Sequence, residues 1–261
     1  MKLKRNMPLH LVATAILGVY SMRLTFFTIF YPNNERKSFS IKKYTIERVS
    51  ILNRDWAILK RLLSDSAVVT LLCDNQISKI QFLSNILMFR WSHDSISIYL
   101  DIDTNFTVFL EDHHDLSNLD NLFIFRHNET NLIDVVADIS SFSSSYVDTI
   151  VFDSVTSFSS IQSDSKTSSS LNRRLGLYLS LLQVVVSRCN GLIIFTSMTR
   201  ARKRQDDESW YFSYAGGKLL RKRSDLILEL KSKKQQFEVS ILKSPSNALL
   251  GVKLNLNRKY V

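Results

Sequence analysis

Val147-Asp148-Thr149-Ile150-Val151-Phe152-Asp153-Ser154 is the stretch on which the reading of this chain turns. Thr149 to Phe152 is apolar with a β-branched bias, and it runs straight into an aspartate and a serine. An unbroken apolar run of this length fits a strand buried on both faces, as in a parallel sheet with helices above and below. An acid at the carboxyl end of such a strand lies in the crevice where α/β sheets bind ligands. The same residues also fit a buried strand followed by a solvated aspartate in a turn, so the neighbouring segments have to decide.

Those neighbours alternate between helical and extended patterns. Asp55 to Leu63 reads as a short amphipathic helix and Ala67 to Cys73 as a buried strand. Ile80, Leu83, Leu87 and Trp91 recur at helical spacing within Lys79 to Trp91. Ser95 to Asp101 and Leu122 to Phe125 read as strands, with a helix from Leu132 to Phe142. Ser157 to Ser170 is dense in serine and reads as a mobile loop. Leu171 to Val186 is then a long helix, and Gly191 to Phe195 a buried strand ending in Thr196 and Ser197. A polar, basic stretch runs on to Gly217. Leu226 to Leu230, Phe237 to Leu242 and Val252 to Leu256 alternate in period two, which suits antiparallel strands closing one sheet edge. The expected fold class is therefore α/β, a mainly parallel sheet flanked by helices.

Residues 1–43 differ from the rest and are set apart from a core at 44–261. A basic start precedes a mostly apolar run, Leu9 to Phe30, interrupted by His10 and Arg23. A membrane anchor is one reading, although Arg23 would cost roughly 2.5–3.5 kcal/mol at a span centre. An N-terminal extension or an earlier-than-true start is the other. With 261 residues, 45% of them hydrophobic, the chain can bury a sizeable core. A formal charge of +10 favours an anionic partner. Two cysteines, Cys73 and Cys189, make no disulfide framework and suit a reducing, cytoplasmic setting.

Between the strand ending at Cys73 and the helix that follows, a nucleotide-binding α/β protein carries G-x-x-x-x-G-K-[ST]. Here the residues are Asp74-Asn75-Gln76-Ile77-Ser78-Lys79-Ile80. Lysine alone is in place: no glycine supplies positive φ, Asp74 adds a negative charge, and Ile80 cannot ligate Mg²⁺. Lys79 reads equally as a remnant phosphate ligand or as a solvated surface lysine. Asp153, with Ser154, occupies the place where ATPases hold Mg²⁺. Asp101 and Asp103 are two apart and share a side of an extended strand, where a carboxylate could position an attacking water. Asp112-His113-His114-Asp115 reads as a solvated turn rather than a metal site.

The order of these pieces resembles the RecA/RadA recombinase superfamily, and within it the archaeal RadB-like paralogues. Tyr99-Leu-Asp-Ile-Asp-Thr-Asn-Phe106 is similar to the family's YIDTEGTF, which places Asp103 at the catalytic glutamate. Val147 to Phe158 resembles its Walker B strand, with Asp153 as the acid. Leu171-Asn-Arg-Arg-Leu-Gly176, Gly191 to Thr199 (with Thr196 retained from T-N-Q-V), and Gly216-Gly217 with the segment to Pro245 resemble its later landmarks. The resemblance covers about Thr45 to Leu256. It implies a RecA-like domain, an ATP and Mg²⁺ site at Lys79, Asp153 and Ser154, and DNA contacts in the loops after the Asp153 and Thr196 strands. Those loops carry Arg173 and Arg174, then Arg200, Arg202, Lys203, Arg204, Tyr211, Lys218, Arg221, Lys222 and Arg223. Cations interleaved with aromatics suit single-stranded DNA, where phosphates meet charge and bases stack on rings. With the phosphate-loop glycines and hydroxyl gone, the expectation is a DNA-binding or recombinase-binding accessory factor in recombination and repair, without efficient ATP hydrolysis. A working DNA-dependent ATPase and a membrane-tethered regulator are the alternatives.

Overall fold

The computed structural model describes residues 54–90, 95–112, 121–126, 132–141, 147–162, 168–203, 210–234 and 236–258. The segment 1–53, and with it the anchor reading of Leu9 to Phe30, lies outside them, as do His113, His114 and Asp115. No helix among the described residues is long and apolar enough to cross a membrane.

Among the described residues, nine strands form one sheet. In chain order they are β1 (Val68–Cys73), β2 (Ile96–Asp101), β3 (Leu122–Arg126), β4 (Val147–Asp153), β5 (Leu192–Lys203), β6 (Trp210–Tyr214), β7 (Leu226–Lys233), β8 (Gln236–Lys243) and β9 (Lys253–Asn257). Their spatial order is β3-β2-β4-β5-β1-β7-β8-β9, with β6 pairing to the far end of β5. From β3 to β7 every pairing is parallel. β8 and β9 join antiparallel at the C-terminal edge, as their period-two pattern predicts, but the first such run, Leu226 to Leu230, lies in β7 parallel to β1 and is antiparallel only to β8. The helices are α1 (Arg54–Ser64), α2 (Gln76–Arg90), α3 (Asn105–Asp112), α4 (Leu132–Ser141), α5 (Val155–Gln162), α6 (Ser168–Cys189) and α7 (Gly217–Arg223).

Two apolar layers explain why the central strands have no polar face. Val69, Leu71, Val151, Leu192 and Ile194 point into a cluster with Trp56 and Leu59 of α1 and Phe82 and Leu83 of α2. Their sequence neighbours Val68, Ile150, Phe152, Ile193 and Phe195 point the other way, onto Val136, Leu179, Leu182 and Val186 of α4 and α6. Successive side chains of a strand alternate faces, so burial on both requires apolar residues at every position. Close approach of β4 and β5 has its own requirement. A Cβ on Gly191 would lie 2.5 Å from the Val147 carbonyl oxygen, so only glycine fits there.

Two expectations are corrected. The serine-rich stretch after Asp153 is not one loop: Val155–Gln162 is α5 and Ser168 already begins α6, leaving 163–167 outside the described residues. Its first part folds because Val155 and Phe158 are buried on one side, with Phe158 edge-on to Tyr178 of α6 at 5.5 Å. The polar stretch after Ser197 is likewise not a loop throughout. β5 continues to Lys203 and pairs with β6 from Thr199↔Tyr214 to Lys203↔Trp210, a two-stranded ribbon projecting past the sheet. Its alternating Arg, Lys and aromatic residues satisfy their backbone groups in the ladder, which composition alone does not reveal.

Candidate functional site

Asp153 ends β4 at the carboxyl edge of the sheet, and its side chain is fully buried. Three donors converge on it. The Lys79 amine lies 2.5 Å from Oδ1, the Thr196 hydroxyl donates to the same oxygen at 2.5 Å, and the Tyr99 hydroxyl donates to Oδ2 at 2.5 Å. Tyr99 comes from β2 and Thr196 from β5, the two strands flanking β4, so parallel register delivers both hydroxyls to one carboxylate. Burial, reinforced by Asp153 and Asp101, pushes the Tyr99 phenol well above its ordinary value, which keeps it a donor. The Tyr99 ring is stacked on Phe106 of α3 at 3.9 Å.

Lys79 reaches this point from the first turn of α2, across the end of β5. It is fully buried, which corrects its reading as a solvated surface lysine. Besides Asp153 it lies 3.5 Å from Asp103, which also accepts from Gln76 Nε2 at 3.0 Å and from the Ser157 hydroxyl at 3.1 Å. Asp101, buried beside Asp153 in the register, accepts from the Thr107 amide at 2.8 Å and the Thr107 hydroxyl at 2.6 Å. Burial pushes the Asp101 carboxyl up to about 6, against the pull of the Thr107 hydrogen bonds. Carboxylate oxygens of Asp101, Asp103 and Asp153 lie within 4.8 Å of one another, with the Lys79 cation against two of them. Ser154 shares a 2.7 Å hydrogen bond with Ser157 and caps its amide.

Only residues 74–75 separate β1 from α2. Asn75 accepts from the Ser78 amide through its side chain (2.9 Å) and from the Lys79 amide through its carbonyl (3.1 Å). An asparagine N-cap thus satisfies the helix amides that would otherwise face an anion. The neighbouring Cys73 thiol is buried, and burial pushes it above its ordinary range, so it stays neutral. A triphosphate with Mg²⁺ needs a backbone loop around the phosphates, a free lysine amine and an available carboxylate. Here the connection is two residues long, the amine and Asp153 are committed to each other, and Ile80 stands where a metal-binding hydroxyl would. The residues as arranged do not fit that group.

The cationic candidates fall into two places. Arg173 and Arg174 are exposed near the start of α6, which enters from α5 at the carboxyl edge, and Arg200 is exposed on the projecting part of β5. Arg202 and Lys203 follow on the same strand, with Arg202 opposite Tyr211. Arg204 and the side chains of Arg202, Lys203 and Tyr211 lie outside what the structure describes. Lys218, Arg221, Lys222 and Arg223 are exposed on α7, which leads away from the ribbon to the opposite edge. There β7 begins beside the start of β1, Val69 opposite Leu226, and Asp225 accepts from the Ala67 and Val68 amides at 3.0 and 2.9 Å. Six residues of β1 span about 20 Å. The fold therefore separates Arg221 to Arg223 from Arg173, Arg174 and Arg200.

Sequence reasoning missed Tyr99, Gln76 and Ser157 as members of the buried network. Tyr99 carried a faint signal, a phenol two residues before Asp101 in a short, mostly apolar strand. Gln76 and Ser157 carried none, because their roles depend on side chains 27 and 54 residues away.

No known protein-family profile matches this sequence, and no curated protein sequence matches it. Among solved structures, that of the RadB recombinase is similar, with a TM-score of 0.53 and 15% identity over 73% of this chain and 86% of that one. At that identity the likeness is one of fold, and this chain has a RecA/RadA-like fold.

Proposed function

We propose that this chain is a RecA-like recombinase paralogue that acts as a DNA-binding or recombinase-binding accessory factor in recombination and repair, in the cytoplasm, without efficient ATP hydrolysis. The observation that carries the reading is the 2.5 Å contact between the Lys79 amine and Asp153. A cation that answers a triphosphate in an active nucleotide site is here neutralised from within. Asp103, in place of a catalytic glutamate, is held by Gln76 and Ser157 as well as by Lys79.

Single-stranded DNA is the favoured partner, taken at the carboxyl edge by Arg173, Arg174, Arg200 and the ribbon that carries Arg202, Lys203 and Tyr211. Lys218 and Arg221 to Arg223 on α7 supply a second positive patch, suited to a longer strand or to a recombinase. Two titrations test this. ATP with Mg²⁺, followed by calorimetry and phosphate release, is expected to show neither micromolar binding nor steady turnover. Labelled single-stranded DNA is expected to bind with an affinity falling steeply with salt, by about 0.7 in log–log slope per neutralised phosphate. Changing Arg200, Arg202 and Lys203 together to alanine should remove about two units of that slope. An unchanged slope would reject the ribbon as the contact.

The clustering of Lys79, Asp103 and Asp153 favours one competing reading, a working DNA-dependent ATPase. It requires that DNA-stimulated phosphate release be measurable and that Lys79→Ala abolish it.

A further inference from the structure

Along α6, Leu175, Tyr178, Leu179, Leu182, Val185 and Val186 are buried against the sheet and α4. At about 100° per residue, the opposite face is made by Arg173, Leu177, Val184 and Arg188. On a solvated helix that outer face is polar. Here its centre is aliphatic: Leu177 is 48% and Val184 46% exposed, with half-buried Leu181 beside them. Ser180, which lies between, turns its hydroxyl to the Gly176 carbonyl at 2.9 Å, offering little to solvent. Arginine closes the stripe at both ends, and positions 175–187 hold no lysine or arginine.

We infer that the outer face of α6 docks an amphipathic helix of another protein, one with an aliphatic centre and an acidic side chain at each end. Charge selects this occupant. In an antiparallel pairing of two copies, Leu177 would meet Val184 but Arg173 would meet Arg188, and a parallel pairing would set each arginine on its own copy. Both juxtapose like charges at each end of the contact, which opposes self-association. Polynucleotide is disfavoured by the cation-free centre, since a phosphate backbone is followed by a row of cations. A helix laid in with carboxylates about 22 Å apart, some fifteen residues at 1.5 Å each, meets both arginines and covers the aliphatic centre. The inference shares Arg173 with the DNA reading, and Arg188 tells the two apart. Arg188 lies at the far end of α6 from the carboxyl edge, so its substitution leaves the proposed DNA contacts in place.

The test uses the full chain and two fluorescent synthetic helices with the same alanine–leucine stripe, one flanked by glutamates and one by lysines at that spacing. Anisotropy is expected to show binding of the glutamate peptide only. Arg188→Glu should weaken it about tenfold and confer binding of the lysine peptide, while single-stranded DNA affinity stays unchanged. Val184→Asp, at an exposed position, should abolish binding of the glutamate peptide with no change in the unfolding midpoint. Three results would overturn the inference. One is equal binding of the two peptides, or of neither, at about a hundred micromolar. Another is a dimer by light scattering that Val184→Asp converts to monomer. The third is a cross-link from a cysteine placed at position 184 to residues 9–30 of the same chain.

Discussion

Replacing Lys79 by methionine, which keeps the length of the side chain and removes its charge, is the most direct challenge to the buried network. The amine is fully buried and sits 2.5 Å from one carboxylate and 3.5 Å from another, both largely or wholly shielded from water. Without it, Asp153 keeps two hydroxyl donors, from Thr196 and Tyr99, but no cation. Breaking a buried pair from one side costs roughly 3–5 kcal/mol, because the surviving charge is left uncompensated. For a domain with about 5–15 kcal/mol in total, that is a large share. It corresponds to a fall of roughly 6–20 °C in Tm for a chain of this size. Urea unfolding followed by circular dichroism measures it, with exposed Arg221→Met as a control expected to stay within about 0.5 kcal/mol. Lys79→Met combined with Asp153→Asn removes both charges and should recover most of the loss, since a neutral pair of similar volume replaces an ion pair at little cost. If Lys79→Met alone unfolds within about 0.5 kcal/mol of the parent, the amine is not paired and the account of the site fails. If the single variant does not fold, recovery of folding in the double variant still shows that the two charges answer each other.

Two further outcomes follow from the same geometry. Burial holds the Asp101 carboxyl at about 6, above its usual value near 3.8, so the folded state binds this proton more tightly than the unfolded one. Its contribution is complete below about pH 4 and is lost as pH rises through about 6; Asp101→Asn removes that loss, so relative to the parent the variant should gain up to about 3 kcal/mol between pH 4 and pH 7.5. Equal pH profiles of urea unfolding for the two proteins would refute the assignment. Gly191→Ala drives a methyl to 2.5 Å from the Val147 carbonyl and 3.0 Å from that of Asp148, forcing β4 and β5 apart at a cost of about 1–3 kcal/mol. An unaltered urea midpoint would contradict that contact.

Much of the architecture is written locally. Thr149 to Phe152, Ala67 to Cys73 and Gly191 to Phe195 are runs of apolar residues, broken only by threonine, because both of their faces are covered. The alternation from Phe237 to Leu256 likewise announces strands near a sheet edge, and β8 and β9 lie there, although only β9 keeps one side exposed. Position at the end of a buried strand also marks Asp153 as a residue facing the crevice. The sequence could not say what holds it. Lys79 is 74 positions away, Tyr99 54 and Thr196 43, and only the parallel register of β2, β4 and β5 beside β1 brings them together. Periodicity records which face a side chain takes, whereas pairing of charges depends on distance through space. For the same reason a lysine in a polar connection looks solvated in sequence yet lies in the driest part of the molecule. Sequence likewise reads the cations from Arg200 to Arg223 as one loop, but α7 carries the last of them to the opposite edge of the sheet.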